Sequence, residues 1–331
     1  MFIGRHPMRT FVAATALLVG APLAVLADAD YPNHTIKIIV PAPPGAVLDI
    51  LPRIVAEKLA ARWAQPVIVE NRPGGANIIG TKAVMNAAPD GYTLLVAPPG
   101  ALVINQHFFP KPDYDPTVLV PVSLLVKLPP VIVANPKRPF ATLSELIEFA
   151  KTNPGKLSYG SPGAGSAPQL AMERLMRVAG IDLIHVPYQG LAPALQDLLA
   201  GHIDVMFDVV GNAWPHFKDG SLRVLAVATE KRLPELPDTP AISETIPGYI
   251  HTEWFAVLAP PNTPPEIVSK LSQAIAETLK LPDVAKRFSD FHVIPVGSPP
   301  VETAAFIKSE NERWRQLSVS MGVRPELKQA K

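Results

Sequence analysis

Residues Thr35–Val40, rich in β-branched side chains, stop abruptly at Pro41-Ala42-Pro43-Pro44-Gly45 and give way to an amphipathic segment. The run has the length and composition of a strand buried on both faces. The prolines end it, and Gly45 lets the backbone turn sharply. Ile50, Leu51, Ile54, Val55 and Leu59 then recur at helical spacing. They predict a helix to Trp63 with Asp49 as its N-cap, a start that leaves Pro52 in the tolerated first turn. Strand, tight turn and helix start together present backbone N–H groups at the carboxyl edge of a sheet. Open α/β sheets bind ligands there, and helix N-termini favour anions. An ordinary βα turn without a ligand fits the same residues.

The pattern repeats. Val67–Val69 reads as a strand, Arg72–Gly75 as a turn, Ile78–Ala88 as a helix and Thr93–Ala97 as the next strand. This β-α-β-α-β order implies a parallel sheet with right-handed crossovers, and the loop Pro98-Pro99-Gly100-Ala101 falls at the same edge as Pro43–Val47. Val120–Val126 is a further strand, and Val131–Ala134 crosses into a second domain. That domain opens with a capping box at Thr142–Glu145 and a helix to Lys151. The strand Leu157–Ser161, helix Gln169–Val178, strand Leu183–Val186, helix Ala192–Leu199 with Gly201 as C-cap, and strands Val205–Phe207 and Val224–Ala228 follow. Phe255–Leu258 returns to the first domain, a second capping box at Thr263–Glu266 starts a helix to Leu279, and Pro300–Met321 is a final long helix. Two α/β lobes joined by crossing strands make a hinged cleft.

The chain's 331 residues suit two domains, and 48% hydrophobic against 18% charged residues mark a packed globular protein. A formal charge of +1 gives no reason to expect nucleic acid or a membrane surface as partner. Arg5 and Arg9 precede the apolar run Phe11–Leu26, and Val25-Leu26-Ala27 has the form of a signal-peptidase site. Residues 1–27 are therefore expected to be a cleaved export signal; a membrane anchor is the competing reading, and Gly20 and Pro22 interrupt it. The mature chain would carry 28 basic and 29 acidic residues. Cysteine is absent, so neither a disulfide framework nor a lipidated cysteine is available.

Chemistry points to binding rather than turnover. Gly163-Ala164-Gly165-Ser166-Ala167-Pro168 lies between a strand and a helix, as a dinucleotide fingerprint would, but proline replaces the glycine needed for close helix packing. The loop suits a carboxylate instead: Gly163 and Gly165 expose N–H groups and Ser166 adds a hydroxyl. There is no Gly-x-Ser-x-Gly elbow, and the histidines lack metal-ligand spacing. Catalytic residues, metal and cofactor are all expected to be absent. His185, in an apolar strand, reads as a core histidine. Asp208 leaves its strand at the carboxyl end, facing the cleft, and Tyr188 follows another strand end with a hydroxyl and an aromatic wall.

The order of motifs resembles the Bug-type family, the periplasmic solute receptors of tripartite tricarboxylate transporters. The matching pieces are Tyr31-Pro32, Val40–Gly45, Val69–Gly75, Ala88–Thr93, Pro121–Leu124, His185–Tyr188, Asp204–Asp208, Leu222–Val227 and Trp254-Phe255. Each is weak alone; together they cover Tyr31 to Val323. The resemblance implies a two-domain type II periplasmic-binding fold, with lobe 1 formed by residues 31–130 plus 252–331 and lobe 2 by residues 131–251. It implies a monomer that holds a small carboxylate with loop backbone groups and hands it to a membrane permease. The residues it brings to the ligand are Ala42, Pro44, Gly45, Ala46, Val47 and Leu48, then Pro98, Gly100 and Ala101. From the second lobe come Gly163, Ala164, Gly165, Ser166, Ala167, Gln169 and Asp208, with Tyr188 beside them.

The sequence departs from its relatives in places that bear on the ligand. Ala42 stands where relatives often have an aromatic residue, Ala46 and Val47 replace glycines, Leu48 replaces a threonine and Gln169 replaces a histidine. Fewer hydroxyls and a more apolar wall imply an aromatic or longer aliphatic carboxylate rather than an amino acid or citrate-like polyacid. Two other functions share these features: a sensory receptor presenting the bound acid to a signalling kinase, and a periplasmic hydrolase or isomerase.

Overall fold

The computed structural model describes Met1, residues 31–108 and residues 114–322; the expected export signal, residues 1–27, lies outside the described residues. The elements belong to a compact unit that begins at Pro32. Strand β1 (Ile36–Val40), helix α1 (Val47–Trp63), β2 (Val67–Asn71), α2 (Ile78–Met85) and β3 (Thr93–Ala97) form the expected β-α-β-α-β run. β1 lies between β2 and β3, parallel to both. A π-helical turn, Gly100–Ile104, leaves β3 and runs into the single-turn α3 (Asn105–Phe108). β4 (Val120–Leu128) then passes through Pro129 into β5 (Pro130–Ala134).

The second sheet is built by α4 (Leu143–Thr152), β6 (Ser158–Ser161), α5 (Ala167–Ala179), β7 (Ile184–Pro187), α6 (Leu191–Ala200), β8 (Val205–Val209), α7 (Val210–Lys218), β9 (Arg223–Val227) and α8 (Ile242–Thr245). Its order is β7-β6-β8-β5-β9, with β5 antiparallel to β8 and β9. β10 (Glu253–Ala259) returns to the first sheet and inserts antiparallel between β3 and β4. After α9 (Pro265–Leu279) and α10 (Pro282–Asp290), the short β11 (Ile294–Pro295) adds to β4, and α11 (Pro300–Ser320) closes the described chain. The result is a two-lobed α/β fold, one sheet to each lobe.

The two crossings between the lobes run side by side. Val210 donates from its N–H to the Pro129 carbonyl at 3.0 Å, Ala228 to Pro130 at 2.8 Å and His251 to Ala228 at 3.0 Å. Tyr159, Phe207 and Phe140 are buried in the second lobe's core, and Trp254 and Trp314 in a first-lobe cluster that also takes in Ala167 and Leu170 of α5. The Trp254 indole N–H donates to Glu310 Oε2 at 3.1 Å, tying β10 to α11. Full burial of such a side chain contributes about 1.5–3 kcal/mol.

Three local expectations fail for identifiable reasons. Helix α1 begins at Val47 with Ala46 as N-cap, so Pro52 lies inside it rather than in its first turn. Asp49 is not the cap; it sits within the first turn and reaches back to accept from the Gly45 N–H at 3.2 Å. At α9 the N-cap is Pro264, and the Thr263 hydroxyl donates to the Pro260 carbonyl at 2.8 Å instead of capping the helix. At α4 only half of the box forms: Thr142 Oγ1 accepts from the Glu145 N–H at 3.2 Å, while Glu145 Oε2 accepts from the Ala141 N–H at 2.6 Å rather than from that of Thr142. Helices α7 and α10 were not expected from the sequence; Gly211 and the internal Pro215 disguise the first of them.

Candidate functional site

Four helical N-termini converge on one cleft between the lobes. Its walls enclose a cavity of about 60 Å³, with room for a few water molecules in the conformation described. From the first lobe the start of α1 brings Ala42, Ala46 and Leu48, and the π-helical turn brings Pro98 and Gly100. From the second, the start of α5 brings Ser166 and Ala167, and the start of α6 brings Gly190, Leu191 and Ala192. N–H groups in a first helical turn have no acceptor within their own helix, and the dipole adds partial positive charge there. The wall is otherwise apolar, with Phe207 and Phe255 in it. Among the described residues, no lysine or arginine lines it. Its ionisable side chains are Asp208, His251 and Glu253.

Eight of the residues expected at the ligand thus meet on the cavity wall: Ala42, Ala46, Leu48, Pro98, Gly100, Ser166, Ala167 and Asp208. The other nine stand off it. Pro44, Gly45 and Ala164 are exposed at the loop tips. Ala101 packs into the first lobe's core, and its carbonyl accepts from the Tyr114 hydroxyl at 2.9 Å. The Gly45 N–H is taken by Asp49, and the Val47 N–H donates across the cleft to Asn212 Oδ1 at 3.1 Å. The Gly163 N–H donates to Ser161 Oγ at 3.2 Å and the Gly165 N–H to Gln169 Oε1 at 3.2 Å, so neither the glycines nor Gln169 keep those groups for a ligand. The Tyr188 hydroxyl donates to Asp197 Oδ2 at 2.6 Å, away from the wall. The Ser166 hydroxyl is also committed, donating to the Gly163 carbonyl at 2.7 Å.

His185 is half-buried on the edge strand β7 rather than in the core, stacked on Tyr159 with Nε2 2.7 Å from Ser161 Oγ; partial burial holds its pKa below the usual imidazole value. Gly190–Ala192, His251, Glu253 and Asn212 also reach the cleft, and no expectation from the sequence covered them. The glycine before Leu191-Ala192-Pro193 signalled the start of α6. His251 and Glu253 flank the strand that re-enters the first lobe, and nothing local marks them as cleft residues.

The loop that carries Ala42 and Ala46 is held by Asp49. Its Oδ1 accepts from Arg53 Nε and Asn71 Nδ2, both at 2.9 Å, and Asn71 Nδ2 also reaches the Ala42 carbonyl at 3.0 Å. Burial pushes the Asp49 carboxyl up, but the bonds from Arg53, Asn71 and the Gly45 N–H outweigh it, and the pKa ends below the ordinary value. Replacing Asp49 with alanine strands Asn71 and Gly45, and unfolding in urea should show a loss of about 1–3 kcal/mol at neutral pH. A depressed folded pKa contributes stability above the unfolded value that is lost as pH falls through the folded one. The gap between wild type and Asp49→Ala should therefore shrink below about pH 4.

Asp208 is the opposite case. Its Oδ1 accepts from the Val209 N–H and from Asn212 Nδ2, both at 2.8 Å, while Oδ2 has no partner among the described residues. Burial pushes its carboxyl up to about 7; the two donors pull it back, and the nearby Glu253 adds to the rise. Glu253 Oε1 in turn lies 3.2 Å from His251 Nε2. Among the described residues no group of three or more His, Asp or Glu side chains is arranged to hold a metal ion, and no helix is long and apolar enough to cross a membrane.

Known proteins share this architecture. The structure of R. palustris Rpa4515 with adipate superposes with a TM-score of 0.86 at 30% identity, over 89% of this chain and all of that one. The periplasmic binding protein BugD superposes with a TM-score of 0.85 at 31% identity, over 89% of this chain and 99% of that one. A protein encoded in the tcbD-tcbE intergenic region of Pseudomonas sp. strain P51 is 36% identical over 320 residues, 96% of this chain and 94% of its own. Residues 51–323 match the profile of the tripartite tricarboxylate transporter family receptors, and with these Bug-type relatives the chain belongs to that family of solute-binding proteins.

Proposed function

We propose that the protein captures a small organic carboxylate between its lobes, in the periplasm, and delivers it to the permease of a tripartite tricarboxylate transporter. The observation that carries this reading is a cleft ringed by four helical N-termini, with no lysine or arginine in its wall among the described residues. In a closed, dry site several backbone N–H groups replace a carboxylate's hydration, and such charge-assisted bonds are strong. Family membership and the adipate bound by Rpa4515 support a carboxylate as the solute. The apolar wall, with Ala42 and Leu48 in place of bulkier or hydroxylated side chains, favours an aromatic or longer aliphatic acid. Lobe 1 is assigned residues 31–130 plus 252–331 and lobe 2 residues 131–251, with the protein acting as an exported monomer after cleavage at Ala27. Among the described residues the cleft wall presents an acceptor cluster, and the ligand is expected to leave chemically unchanged.

Titration calorimetry across benzoate, terephthalate, adipate, glutamate and citrate tests the reading. Micromolar or tighter binding is expected for at least one of the first three, and weaker binding by at least about tenfold for the polyacid citrate. A preference for the polar ligands overturns the apolar-acid assignment. Turnover of a bound acid overturns the receptor assignment.

A further inference from the structure

We propose that Asp208 selects a ligand that bears a hydrogen-bond donor, a hydroxyl or an ammonium, on the part of the molecule remote from its carboxylate. The inference rests on the receptor reading and specifies the substrate class of the same site. Asp208 is 2% exposed and lies in the cavity wall, with Oδ1 satisfied twice over and Oδ2 not at all among the described residues. Buried carboxylate oxygens are nearly always hydrogen-bonded, and an orphan in a binding cleft marks the place of a ligand donor.

The surroundings decide which kind of ligand group belongs there. Glu253 and His251 share that wall, the histidine is already paired with the glutamate, and no lysine or arginine accompanies them. Where Asp208 is ionised, a second carboxylate of a ligand would meet two acidic side chains with no lysine or arginine beside them among the described residues, and like charges in a low-dielectric site repel strongly. A methyl or methylene group would leave Oδ2 buried and unpaired. A hydroxyl or ammonium satisfies Oδ2, and an ammonium also meets the negative charge of Glu253. The side chain is held ready for this: Asn212 fixes its other oxygen while accepting from the Val47 N–H of the opposite lobe. Asp208 is thus pre-oriented when the lobes come together.

The test is a matched ligand series measured by calorimetry on the mature protein at about pH 8, above the raised Asp208 value of about 7. It comprises hexanoate, 6-hydroxyhexanoate, 6-aminohexanoate and adipate, and in parallel benzoate, 3- and 4-hydroxybenzoate, 4-(aminomethyl)benzoate and terephthalate. In at least one series the hydroxy or amino member should bind about tenfold or more tightly than both the unsubstituted acid and the diacid. Comparing hydroxy with amino members tells which donor the site takes. Asp208→Leu should abolish the preference for the donor-bearing members over the unsubstituted acid, and the milder Asp208→Asn should remove at least the preference for the amine. Unsubstituted acids or diacids that bind as tightly as the donor-bearing ones in the wild type overturn the proposal and leave the carboxylate-receptor reading standing. A preference that survives in Asp208→Leu also overturns it. Failure of every acid to bind overturns the receptor reading itself, and with it this inference.

Discussion

Gly211→Ala weakens ligand binding by roughly 10- to 100-fold without lowering the melting temperature, an overpacking effect of about 1–3 kcal/mol confined to the closed arrangement. Gly211 lies on α7 in the second lobe, in ordinary helical backbone, and α7 itself would accept alanine with a small gain in helix propensity. Across the cleft the situation differs. A Cβ at Gly211 would stand 2.3 Å from the carbonyl oxygen of Phe291 and 3.2 Å from Val47 Cγ1, both on first-lobe segments. A backbone carbonyl cannot swing aside as a side-chain terminus can. The methyl group is thus compatible with an open molecule and incompatible with the interlobe contact seen here. Closure driven by ligand contacts to both lobes must then supply the extra free energy, which appears as lost affinity. Calorimetry gives the affinity, and small-angle scattering at saturating ligand should show the variant more extended than the wild type. Unchanged affinity would mean that the contact between Gly211 and Phe291 is not part of the liganded state.

Gly211 also shows where the sequence stopped being informative. The alternation of apolar strands and amphipathic helices was readable because each element signals itself locally, in β-branched runs, turn prolines and caps. The loops at the carboxyl edge followed from the topology, which is why Ala46, Gly100 and Ala167 were expected at the cleft and lie there. Which atoms in those loops remain free was not readable, since it depends on partners far away in the chain. Asn212 is 165 residues from Val47 and occupies its N–H. Gln169 uses its amide oxygen on Gly165, and Tyr188 turns to Asp197. His251 and Glu253 enter the wall only because β10 crosses back between β3 and β4, a pairing invisible to local pattern. Even α1 starts earlier than its local sequence signals, for a tertiary reason. Asp49 is held by Asn71 and Arg53, so it braces the loop from inside the helix instead of capping it.

Asp208→Asn should stabilise the ligand-free protein at alkaline pH and not at acid pH, with a difference that grows to about 2–4 kcal/mol. Burial, only partly offset by Asn212 and the Val209 N–H, raises this carboxyl from 3.8 to about 7. Between those two values the folded state keeps a proton that the unfolded chain has released. Stability therefore falls as pH rises through that window, at no more than about 1.4 kcal/mol per pH unit, and the loss is complete above the folded value. Asparagine cannot ionise, so the variant lacks this slope. Its amide oxygen can still accept from Val209 and Asn212, while its NH₂ group replaces the unpartnered oxygen at a modest, pH-independent expense. Glu253 and His251, the other titratable groups in the wall, are present in both proteins and cancel in the comparison. Urea unfolding from about pH 4 to pH 8 reads the difference directly, and parallel curves for the two proteins would show that Asp208 ionises as an ordinary surface carboxyl does. A residue that lowers the stability of its own fold in this way fits a role in binding better than one in folding. A donor-bearing ligand should close the gap by stabilising the ionised wild type alone, whereas a plain carboxylate should shift both proteins equally.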